Sequence, residues 1–381
     1  MSPVESGQGS GPLDGIRVVE LATVVSGPFA CFQLAQLGAD VVKVEPPEGD
    51  ETRRFGPFHQ GVSAYFWNLN RGKRSVVADL KCARDRRAVG ELCVGADVVI
   101  ENWRPLVATR LGLDHRTLSP LNARIITVGM RGFGETGPYA GRRVYDPIVQ
   151  AVSGLAAFQG GRDGPDLVRT ILPDKVSGLA AAQGVLAALV QRGRTGTGCH
   201  IEVRMLDAML SFLFPDMFLA RTFIDGPALR GGAARTAILQ QCARGEWVVA
   251  ATVTAQQFGV LADLIGRPEL IARFPDASSR VAARHELHDI LMPWFTARER
   301  DDVLTTLHAA DIPAAPVNTI DDVIVDPQVV HNGPFTVRDR GEMGRIREAS
   351  ALFRIDDEAP SDLGRAPALG EHTAELLPTA R

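Results

Sequence analysis

One carboxylate, Asp174, stands where the chain enters a long apolar segment. The apolar run at residues 180–190, which follows Asp174, predicts a helix. Pro173 directly precedes Asp174. An aspartate at a helix start can cap the first free backbone N–H groups. The helix dipole at that end also favours the ionised carboxylate, which is the form that a nucleophile requires. The local pattern therefore leaves two interpretations open for Asp174, a structural cap and an attacking carboxylate.

Other carboxylates have structural interpretations. Asp146 comes directly before Pro147, a pattern typical of a helix N-cap followed by proline at the first helical position. We therefore predict a structural role for Asp146, although its segment can also line a ligand site. Four more carboxylates fall at predicted strand or helix ends and are expected to fix loops: Glu45, Glu101, Glu202 and Asp207.

A glycine motif at residues 132–137 fits the GxGxxG pattern and follows a predicted strand. A dinucleotide site needs a helix directly after such a motif, and an acidic residue about 20 residues further on. Here the segment Pro138-Tyr139-Ala140-Gly141 follows instead, and no strand-end acid stands at the expected offset. The motif therefore predicts a loop near the ligand site and no nicotinamide cofactor.

Composition excludes several classes of protein. The 381 residues are 45% apolar and 23% charged, with a net charge of −4, which is typical of a globular protein without a basic surface for nucleic acid or anionic membranes. No run of about 18 apolar residues occurs, and residues 1–12 are polar without a signal core. The five cysteines form no CxxC pair and the eight histidines suggest no ligand set. We therefore expect reduced thiols, no metal site and a cytoplasmic protein.

The elements that must position Asp174 alternate between strands and helices. Runs rich in valine and isoleucine predict strands at residues 15–21, 40–45, 96–101, 123–128 and 199–203. Helical patterns cover residues 29–37, 84–93, 105–111 and 206–214, besides the helix that Asp174 precedes. Valine-rich strands separated by helices imply a parallel sheet covered on both faces. In such sheets ligands bind beyond the carboxyl ends of the strands.

The second half of the chain contains a break in this pattern. Glycine and proline cluster at residues 225–232, and a smaller α+β section runs from Trp247 to about Val317. Short strands and loops from Pro334 onward are expected to return to the large domain. The predicted domains are residues 1–220 for the first part of the large domain, 221–320 for the small domain and 321–381 for the return.

Several segments, in a fixed order along the chain, resemble those of a known family. They are residues 12–18, 37–45, 70–75, 78–81, 96–102, 173–174, 194–198, 206–208 and 370–373. Together they make the chain similar to the family III CoA-transferases, a superfamily that also includes α-methylacyl-CoA racemases. The resemblance spans nearly the whole chain.

The resemblance implies an α/β fold with a doubly wound large domain that is discontinuous in sequence, a smaller α+β domain and an interlocked homodimer. It makes Asp174 the nucleophile, which attacks an acyl-CoA to give a mixed anhydride. The CoA thiolate then forms an aspartyl-CoA thioester, and a free carboxylic acid takes over the CoA by the reverse steps. Backbone N–H groups at a helix start or in a glycine loop can stabilise the oxyanions. Acyl-CoA and a carboxylic acid of open identity are thus the expected substrates, with no tightly bound cofactor.

The resemblance also implies where coenzyme A binds. The expected contact residues are Val25, Ser26, Ala78, Asp79, Leu80, Lys81, Asn102, Trp103, Arg104, Arg110, Arg143, Val144 and Tyr145. An arginine that the family commonly uses after the second strand is absent, because Pro46 stands there. Arg53, Arg71 and Lys73 are candidates to replace it. Gly231-Gly232 is a short counterpart of the family's mobile glycine loop over the active site.

Three alternatives compete with a CoA-transferase. A racemase needs acid/base groups on both faces of its substrate, and racemases of this superfamily carry a histidine where this chain has Tyr145. No histidine lies between His115 and His200 to replace it, and tyrosine, with a pKa of about 10, is a poor base near neutral pH. The transferase is therefore favoured over the racemase. A non-catalytic acyl-CoA-binding protein and an NAD-linked dehydrogenase are the alternatives from other classes.

Overall fold

The structure, a computed structural model, describes residues 11–160, 164–225, 237–356 and 362–377. Gly231-Gly232, the predicted counterpart of a mobile loop, lies outside these residues. The chain divides into two compact units. The first takes the described residues up to Leu213 and those from Gly333 onward, and the second takes residues 214–332. The domain boundaries at 220 and 320 stay a prediction, and the compact units divide at 213/214 and 332/333.

Strands and helices alternate through the first unit. The strands are β1 Arg17–Glu20, β2 Asp40–Glu45, β3 Phe58–His59, β4 Val62–Ser63, β5 Arg74–Val77, β6 Val98–Glu101, β7 Ile126–Arg131 and β8 His200–Arg204. The helices are α1 Ser26–Gln36, α2 Ala64–Asn70, α3 Ala83–Val94, α4 Val107–Leu111, α5 His115–Leu118, α6 Asp146–Val152, α7 Leu155–Gln159, α8 Leu172–Thr195 and α9 Met205–Met217. The boundary between the units falls within α9.

Six of these strands form one parallel sheet in the order β5-β2-β1-β6-β7-β8. Side chains alternate between the two faces of a strand, so neighbouring residues of β1 enter different cores. Val18 packs in one cluster with Leu34 of α1 and Val185 of α8. Val19 packs in the other cluster with Val89 of α3. The sheet is therefore covered on both faces, which confirms the predicted α/β class with a large parallel sheet.

The edge strand β5 is the main departure from the sequence-based prediction, which indicated no strand there. It pairs with β2 and has four residues that follow Gly72 and Lys73. Its apolar part is too short to stand out as a buried run. The other strands of the sheet lie close to their predicted positions, although β7 covers Ile126–Arg131 in place of residues 123–128.

The second unit contains a three-stranded antiparallel sheet in the order β11-β10-β9. Its strands are β9 Ala237–Gln241, β10 Trp247–Ala251 and β11 Ala314–Pro316. Its helices are α10 Ala255–Leu264, α11 Glu269–Arg273, α12 Ala277–Ala282, α13 Arg284–Thr296, α14 Arg300–Ala309, α15 Ile320–Val325 and α16 Pro327–Asn332. Val248 of β10 packs with Leu291 and Phe295 of α13 and with Leu307 of α14, which forms the core of this unit.

The returning segment covers the open edge of the parallel sheet. It contains the hairpin β12 Phe335–Asp339 and β13 Arg345–Ala349, and then α17 Thr373–Leu376. The N–H of Ser75 donates to the His372 ring at 3.2 Å, and the N–H of His372 donates to the Ser75 carbonyl oxygen at 2.8 Å. The N–H of Val77 donates to Thr373 Oγ1 at 2.9 Å. These bonds occupy backbone groups of β5 that would otherwise be open to another strand.

Within the described ranges, no helix has both the length and the apolar character needed to cross a membrane. The same residues hold no group of three or more His, Cys, Asp or Glu side chains placed to bind a metal ion. The five cysteines are free thiols.

Candidate active site

Asp174 is the third residue of α8, inside its first turn. The helix begins at Leu172, and the preceding residue, Ile171, makes no side-chain cap. The interpretation of Asp174 as an N-cap is therefore wrong, because the helix starts before the aspartate. Asp174 instead lines a cavity of about 550 Å³ in the first unit.

The close approach of α8 to α1 fixes the position of Asp174. One turn further along α8, Gly178 faces the first turn of α1. A Cβ atom at Gly178 would lie 2.8 Å from the carbonyl oxygen of Ser26 and 2.9 Å from the ring of Phe29. Glycine thus lets the two helices approach closely, and both Asp174 and Ser26 line the cavity as a result.

A buried cluster of charges lies beneath the turn between β1 and α1. Lys43 Nζ is 2.7 Å from Glu20 Oε1 and 2.8 Å from Asp50 Oδ2, and all three side chains are fully buried. Lys73 Nζ donates to the other oxygen of Glu20 at 2.7 Å. Burial alone would lower the pKa of Lys43, but the carboxylates of Glu20 and Asp50 outweigh burial and raise that pKa above its usual value. Lys43 therefore stays charged and holds the two carboxylates together.

The same cluster binds the backbone of the turn. Lys43 Nζ donates to the carbonyl oxygen of Ala22 at 3.1 Å, and the N–H of Val24 donates to Asp50 Oδ2 at 3.2 Å. Val24 has a φ of 68°, a left-handed conformation that is costly for a β-branched residue. The buried charges thus hold the turn in a strained conformation.

Asn102, just after β6, holds the turn from the neighbouring strand. Its Oδ1 accepts a hydrogen bond from the N–H of Thr23 at 3.0 Å, and its Nδ2 donates to the Thr23 carbonyl oxygen at 2.8 Å. Asn102 lines the cavity, as do Val25 and Ser26 directly after the turn. The predicted CoA contact Asn102 therefore also fixes the backbone that presents two other predicted contacts.

Asp146 contacts the backbone of Asp174. Its Oδ2 accepts a hydrogen bond from the N–H of Asp174 at 3.2 Å, and its Oδ1 accepts one from Gln150 at 2.6 Å. The predicted N-cap role of Asp146 is wrong, because Asp146 is the first residue of α6 and Tyr145 precedes it without a capping bond. The Asp146 carboxylate thus connects the start of α6 to the start of α8.

Asp174 titrates near neutral pH. Burial and, second, the negative charge of Asp146 raise the pKa of Asp174 to about 7. The helix dipole, which contributes about 0.3–1 kcal/mol, is too weak to keep the carboxylate fully ionised against both effects. Burial and Asp146 therefore oppose the ionised form of Asp174 that its position at a helix start favours. Burial and the charges of Asp174 and Asp146 also raise the pKa of Tyr65.

The cavity around Asp174 gathers most of the predicted CoA contacts. They come from the ends of β1 and β6 and from the loop between β7 and α6, and they are Val25, Ser26, Asn102, Trp103, Arg104, Arg110, Arg143, Val144 and Tyr145. Arg131 also lines the cavity, but Glu101 neutralises it at 2.5 Å. Arg104, Arg110 and Arg143 have no carboxylate partner among the described residues. The cavity of Asp174 therefore contains three arginines that have no carboxylate partner in the described part of the chain.

A second cavity of about 480 Å³ adjoins the first. Its lining includes the remaining predicted contacts, Ala78, Asp79, Leu80 and Lys81, which follow the end of β5. Thr23 and Trp103 line both cavities. The N–H of Trp103 donates to Glu101 Oε2 at 2.8 Å, so Glu101 fixes this loop as predicted. The predicted contacts thus form one recess at the carboxyl edge of the sheet.

The three candidates for the arginine missing at Pro46 are all engaged elsewhere. Arg53 donates to both oxygens of Glu45 at 2.7 Å. Lys73 is fully buried against Glu20. The remaining candidate, Arg71, is buried and pairs with Glu348 at 3.0 Å. Each of them thus neutralises an internal carboxylate, and the replacement of the missing arginine by one of them stays a prediction.

The GxGxxG segment forms a loop, as predicted. Within the described residues the next helix begins only at Asp146. A Cβ atom at Gly132 would lie 2.0 Å from Cγ1 of Val144, so the loop folds back against its own end. Gly132, Phe133 and Gly134 line the same cavity as Asp174.

Sequence reasoning missed Glu20, Lys43 and Asp50 as residues that shape the site. The signal was present for two of them, since Glu20 follows Val18-Val19 and Lys43 lies between valines in β2. A charge within a strand buried on both faces requires an opposite charge nearby, because an unpaired buried ion is very costly. The partner Asp50 lies in a loop and carried no such signal.

The sequence matches CoA-transferase family III over residues 13–373. It is 36% identical over 382 residues to the succinate–glutarate CoA-transferase of Agrobacterium fabrum, which covers 96% of this chain and 95% of that protein. It is 35% identical over 384 residues to the succinyl-CoA:mesaconate CoA-transferase of Haloarcula hispanica, covering 97% and 96%. A crystal structure of a CAIB/BAIF family protein from Brucella suis superposes with a TM-score of 0.84 at 35% identity, covering 98% of this chain and 100% of that one.

The carboxyl edge of the parallel sheet carries a carboxylate and arginines without a carboxylate partner among the described residues, and guanidinium groups are suited to anionic ligands. The chain belongs to the family III CoA-transferases, and it is an enzyme of that family. Enzymes of this family use CoA thioesters as substrates, which fits the cationic recess beside Asp174.

Proposed function

We propose that the protein moves coenzyme A from an acyl-CoA donor to a free carboxylic acid, with Asp174 as the nucleophile. The position of Asp174 carries this proposal. Its carboxylate lines a cavity that it shares with the unpaired arginines Arg104, Arg110 and Arg143. A carboxylate attacks a thioester when it is held close and the departing thiolate is stabilised, and cations in the same cavity support such a role for Asp174.

The exchange takes four balanced steps. An oxygen of Asp174 bonds to the thioester carbonyl carbon, the C–S bond breaks, and CoA thiolate leaves an anhydride between Asp174 and the acyl group. The thiolate attacks the Asp174 carbonyl carbon, the donor acid departs as a carboxylate, and an aspartyl-CoA thioester remains. The acceptor carboxylate attacks this thioester, releases the thiolate and forms a new anhydride. The thiolate then takes the acceptor acyl group and restores the Asp174 carboxylate, with no net transfer of protons or electrons.

The cavity supplies groups that stabilise charge in these steps. Each step passes through a tetrahedral oxyanion, which preorganised N–H donors stabilise strongly. The first N–H groups of a helix have no acceptor within the helix, and α1 begins at the cavity with Ser26. We assign the N–H groups at the start of α1 to the oxyanion, and Arg104, Arg110 and Arg143 to the anionic groups of the substrates.

We propose short dicarboxylic acids as the donor and acceptor acids. The relatives from Agrobacterium fabrum and Haloarcula hispanica are named for succinate or succinyl-CoA together with glutarate or mesaconate. A dicarboxylic acid keeps a second carboxylate free while the first one reacts. Another arginine in the lining, Arg142, adds to the cations available for that second carboxylate.

A racemase has less support. The relatives named above are CoA-transferases, and Tyr145 at the position of the racemase histidine is 66% exposed. A single epimer of a 2-methylacyl-CoA, incubated with the enzyme in deuterated water, should gain no α-deuterium. Rapid incorporation with inversion that is lost in Asp174→Asn would show that the racemase interpretation is the right one.

We also propose that the first unit is a discontinuous CoA-binding domain of an interlocked homodimer. The return of the chain to the first unit at Gly333 supports this organisation. Obligate interfaces are large, and the separated subunits often have no stable fold. Native mass spectrometry over a dilution series should show a dimer throughout, and an active monomer at low concentration would contradict the proposal.

Intact mass spectrometry after incubation with succinyl-CoA tests the mechanism. An aspartyl-CoA thioester adds the mass of coenzyme A less one water, and hydroxylamine should convert it into a hydroxamate that peptide mapping locates at Asp174. Asp174→Ala should lose both the adduct and turnover with glutarate, while its circular dichroism stays that of the wild type. Near-normal turnover in the folded variant would remove Asp174 from the mechanism.

A further inference from the structure

The adenosine end of coenzyme A needs a cationic site away from Asp174. This step rests on the proposed function, in which the thioester carbonyl is held at Asp174. The adjoining cavity then takes the other end of the molecule, since Thr23 and Trp103 line both cavities. That end carries a 3′-phosphate, which is recognised by guanidinium or ammonium groups and by N–H donors.

The wall of the second cavity that follows β2 supplies no such group. Pro46 and Pro47 line it, and a proline has neither a charge nor a backbone N–H. Glu48, the next lining residue, is an anion. Glu45 also lines this wall, and its carboxylate pairs with Arg53 at 2.7 Å. The described residues of this wall therefore include no cation that could bind a phosphate.

The facing wall carries the cations. Among the described residues that line this cavity, the basic side chains are Lys81 and Arg86. Arg86, in the first turn of α3, donates from Nη1 to the carbonyl oxygen of Leu80 at 3.2 Å. This bond places its guanidinium against residues 78–81. Arg86 has no carboxylate partner in the described part of the chain, so its remaining N–H groups can bind a ligand.

The nearby carboxylates do not neutralise this pair. Asp79 Oδ1 accepts a hydrogen bond from the N–H of Lys81 at 3.0 Å, and Asp85 Oδ2 accepts one from the N–H of Asp79 at 3.1 Å. Both carboxylates therefore serve to fold the loop after β5. The side chain of Lys81 is exposed, and Arg86 is half-buried.

We propose that Arg86, together with Lys81, binds the 3′-phosphate of coenzyme A in place of the arginine that is absent at Pro46. The planar guanidinium can donate two parallel hydrogen bonds to one phosphate, and the Lys81 ammonium adds a mobile point charge. Trp103 and Leu111 offer apolar surface for the adenine in the same cavity. Arg86 thus makes the enzyme specific for the phosphorylated form of the carrier.

Calorimetric titration of the full-length protein with coenzyme A and with 3′-dephospho-CoA tests this proposal. The wild type should bind coenzyme A more tightly by about tenfold or more, because hydrogen bonds to a charged group are strong. Arg86→Gln should weaken binding of coenzyme A by roughly tenfold and leave binding of dephospho-CoA unchanged. Unchanged binding of dephospho-CoA also shows that the variant is folded.

Arg87→Gln is the matched control, since Arg87 is the next residue of α3, is exposed and does not line the cavity. It should keep the wild-type affinities for both compounds. Arg86→Lys keeps the charge without the planar group, and it should show an intermediate preference for coenzyme A. An Arg86→Gln variant with the wild-type preference would overturn the proposal.

The nucleophile is tested separately. Asp174→Ala should keep the preference for coenzyme A over dephospho-CoA, because the phosphate site does not require the carboxylate. Full turnover in Asp174→Ala, together with loss of the preference in Arg86→Gln, would reject the mechanism and support the phosphate site. Loss of turnover in Asp174→Ala with an unchanged preference in Arg86→Gln would support the mechanism and reject the phosphate site.

Discussion

The backbone N–H of Asp174 donates to the carboxylate of Asp146 at 3.2 Å. This bond joins the first turns of two helices, and it brings a second carboxylate next to the proposed nucleophile. Asp146 therefore has two effects at once. It fixes the backbone of Asp174, and its charge adds to burial in raising the pKa of Asp174 to about 7.

The rate of CoA transfer should rise with pH through about 7. In the proposed mechanism only ionised Asp174 attacks, and with a pKa of about 7 roughly a tenth of the molecules are ionised at pH 6. Asp146→Asn removes the neighbouring charge while it keeps an oxygen acceptor for the N–H of Asp174. The acidic limb of kcat/KM, measured from pH 5 to 9, should move to lower pH in this variant. An unmoved limb would mean that Asp146 has no electrostatic effect on the nucleophile.

Asp174 should reduce the stability of the fold at neutral pH. Its folded-state pKa of about 7 is above the unfolded value of about 3.9. The folded state therefore binds the proton more tightly, and the free energy of unfolding falls as pH rises from about 4 to 7. The free energy of unfolding of Asp174→Asn should exceed that of the wild type by about 4 kcal/mol at pH 8 and differ little from it near pH 4. Urea denaturation at both pH values measures this, and an equal gain at both would exclude ionisation as the cause.

Loss of Lys43 should destabilise the protein strongly. Lys43→Met leaves Glu20 and Asp50 buried without this cation, and breaking a buried ion pair in this way costs about 3–5 kcal/mol. Arg17 offers a matched control, because its pair with Asp40 is at 3.0 Å but its side chain is 44% exposed. Arg17→Met should cost no more than about 1 kcal/mol. Denaturant titration compares the two, and similar small losses would contradict a structural role for the buried cluster.

Gly178→Ala should separate α8 from α1. The new methyl group would meet the Ser26 carbonyl oxygen at 2.8 Å, and a backbone atom cannot move aside cheaply. We expect a loss of about 1–3 kcal/mol in stability and a displaced Asp174 with much lower kcat. Gly193 lies in the same helix with open space around its Cβ position, so Gly193→Ala should be neutral or stabilising by up to about 1 kcal/mol. Equal behaviour of the two variants would show that the close helix contact does not position the nucleophile.

The sequence was most informative where a local pattern determines the structure. Runs of valine and isoleucine located the strands that end at Glu20, Glu45 and Glu101, because both sheet faces are covered and such strands must be apolar. The edge strand β5 is covered by the returning tail and needs fewer apolar residues, so it gave no signal. The position of Asp174 came from resemblance to a family together with the apolar helix that follows.

The contacts that set the chemistry were not predictable from local pattern. The bond between Asp146 and Asp174 depends on where two helices begin, and a shift of one or two residues at either start changes which group is the cap. The pairing of Lys43 with Glu20 and Asp50 depends on the order of strands in the sheet. Both features arise from tertiary packing, which a short window of sequence does not encode.

The tail that covers β5 is synthesised long after β5 itself. Ser75 pairs with His372, which is separated from it by 297 residues along the chain. At a translation rate of about 5–20 residues per second, a ribosome needs roughly 15 to 60 seconds to make that partner after it has made the strand. Throughout this interval the nascent sheet has an open edge that can recruit a strand from another chain. The edge of the sheet is therefore completed only after nearly all of the chain has been made.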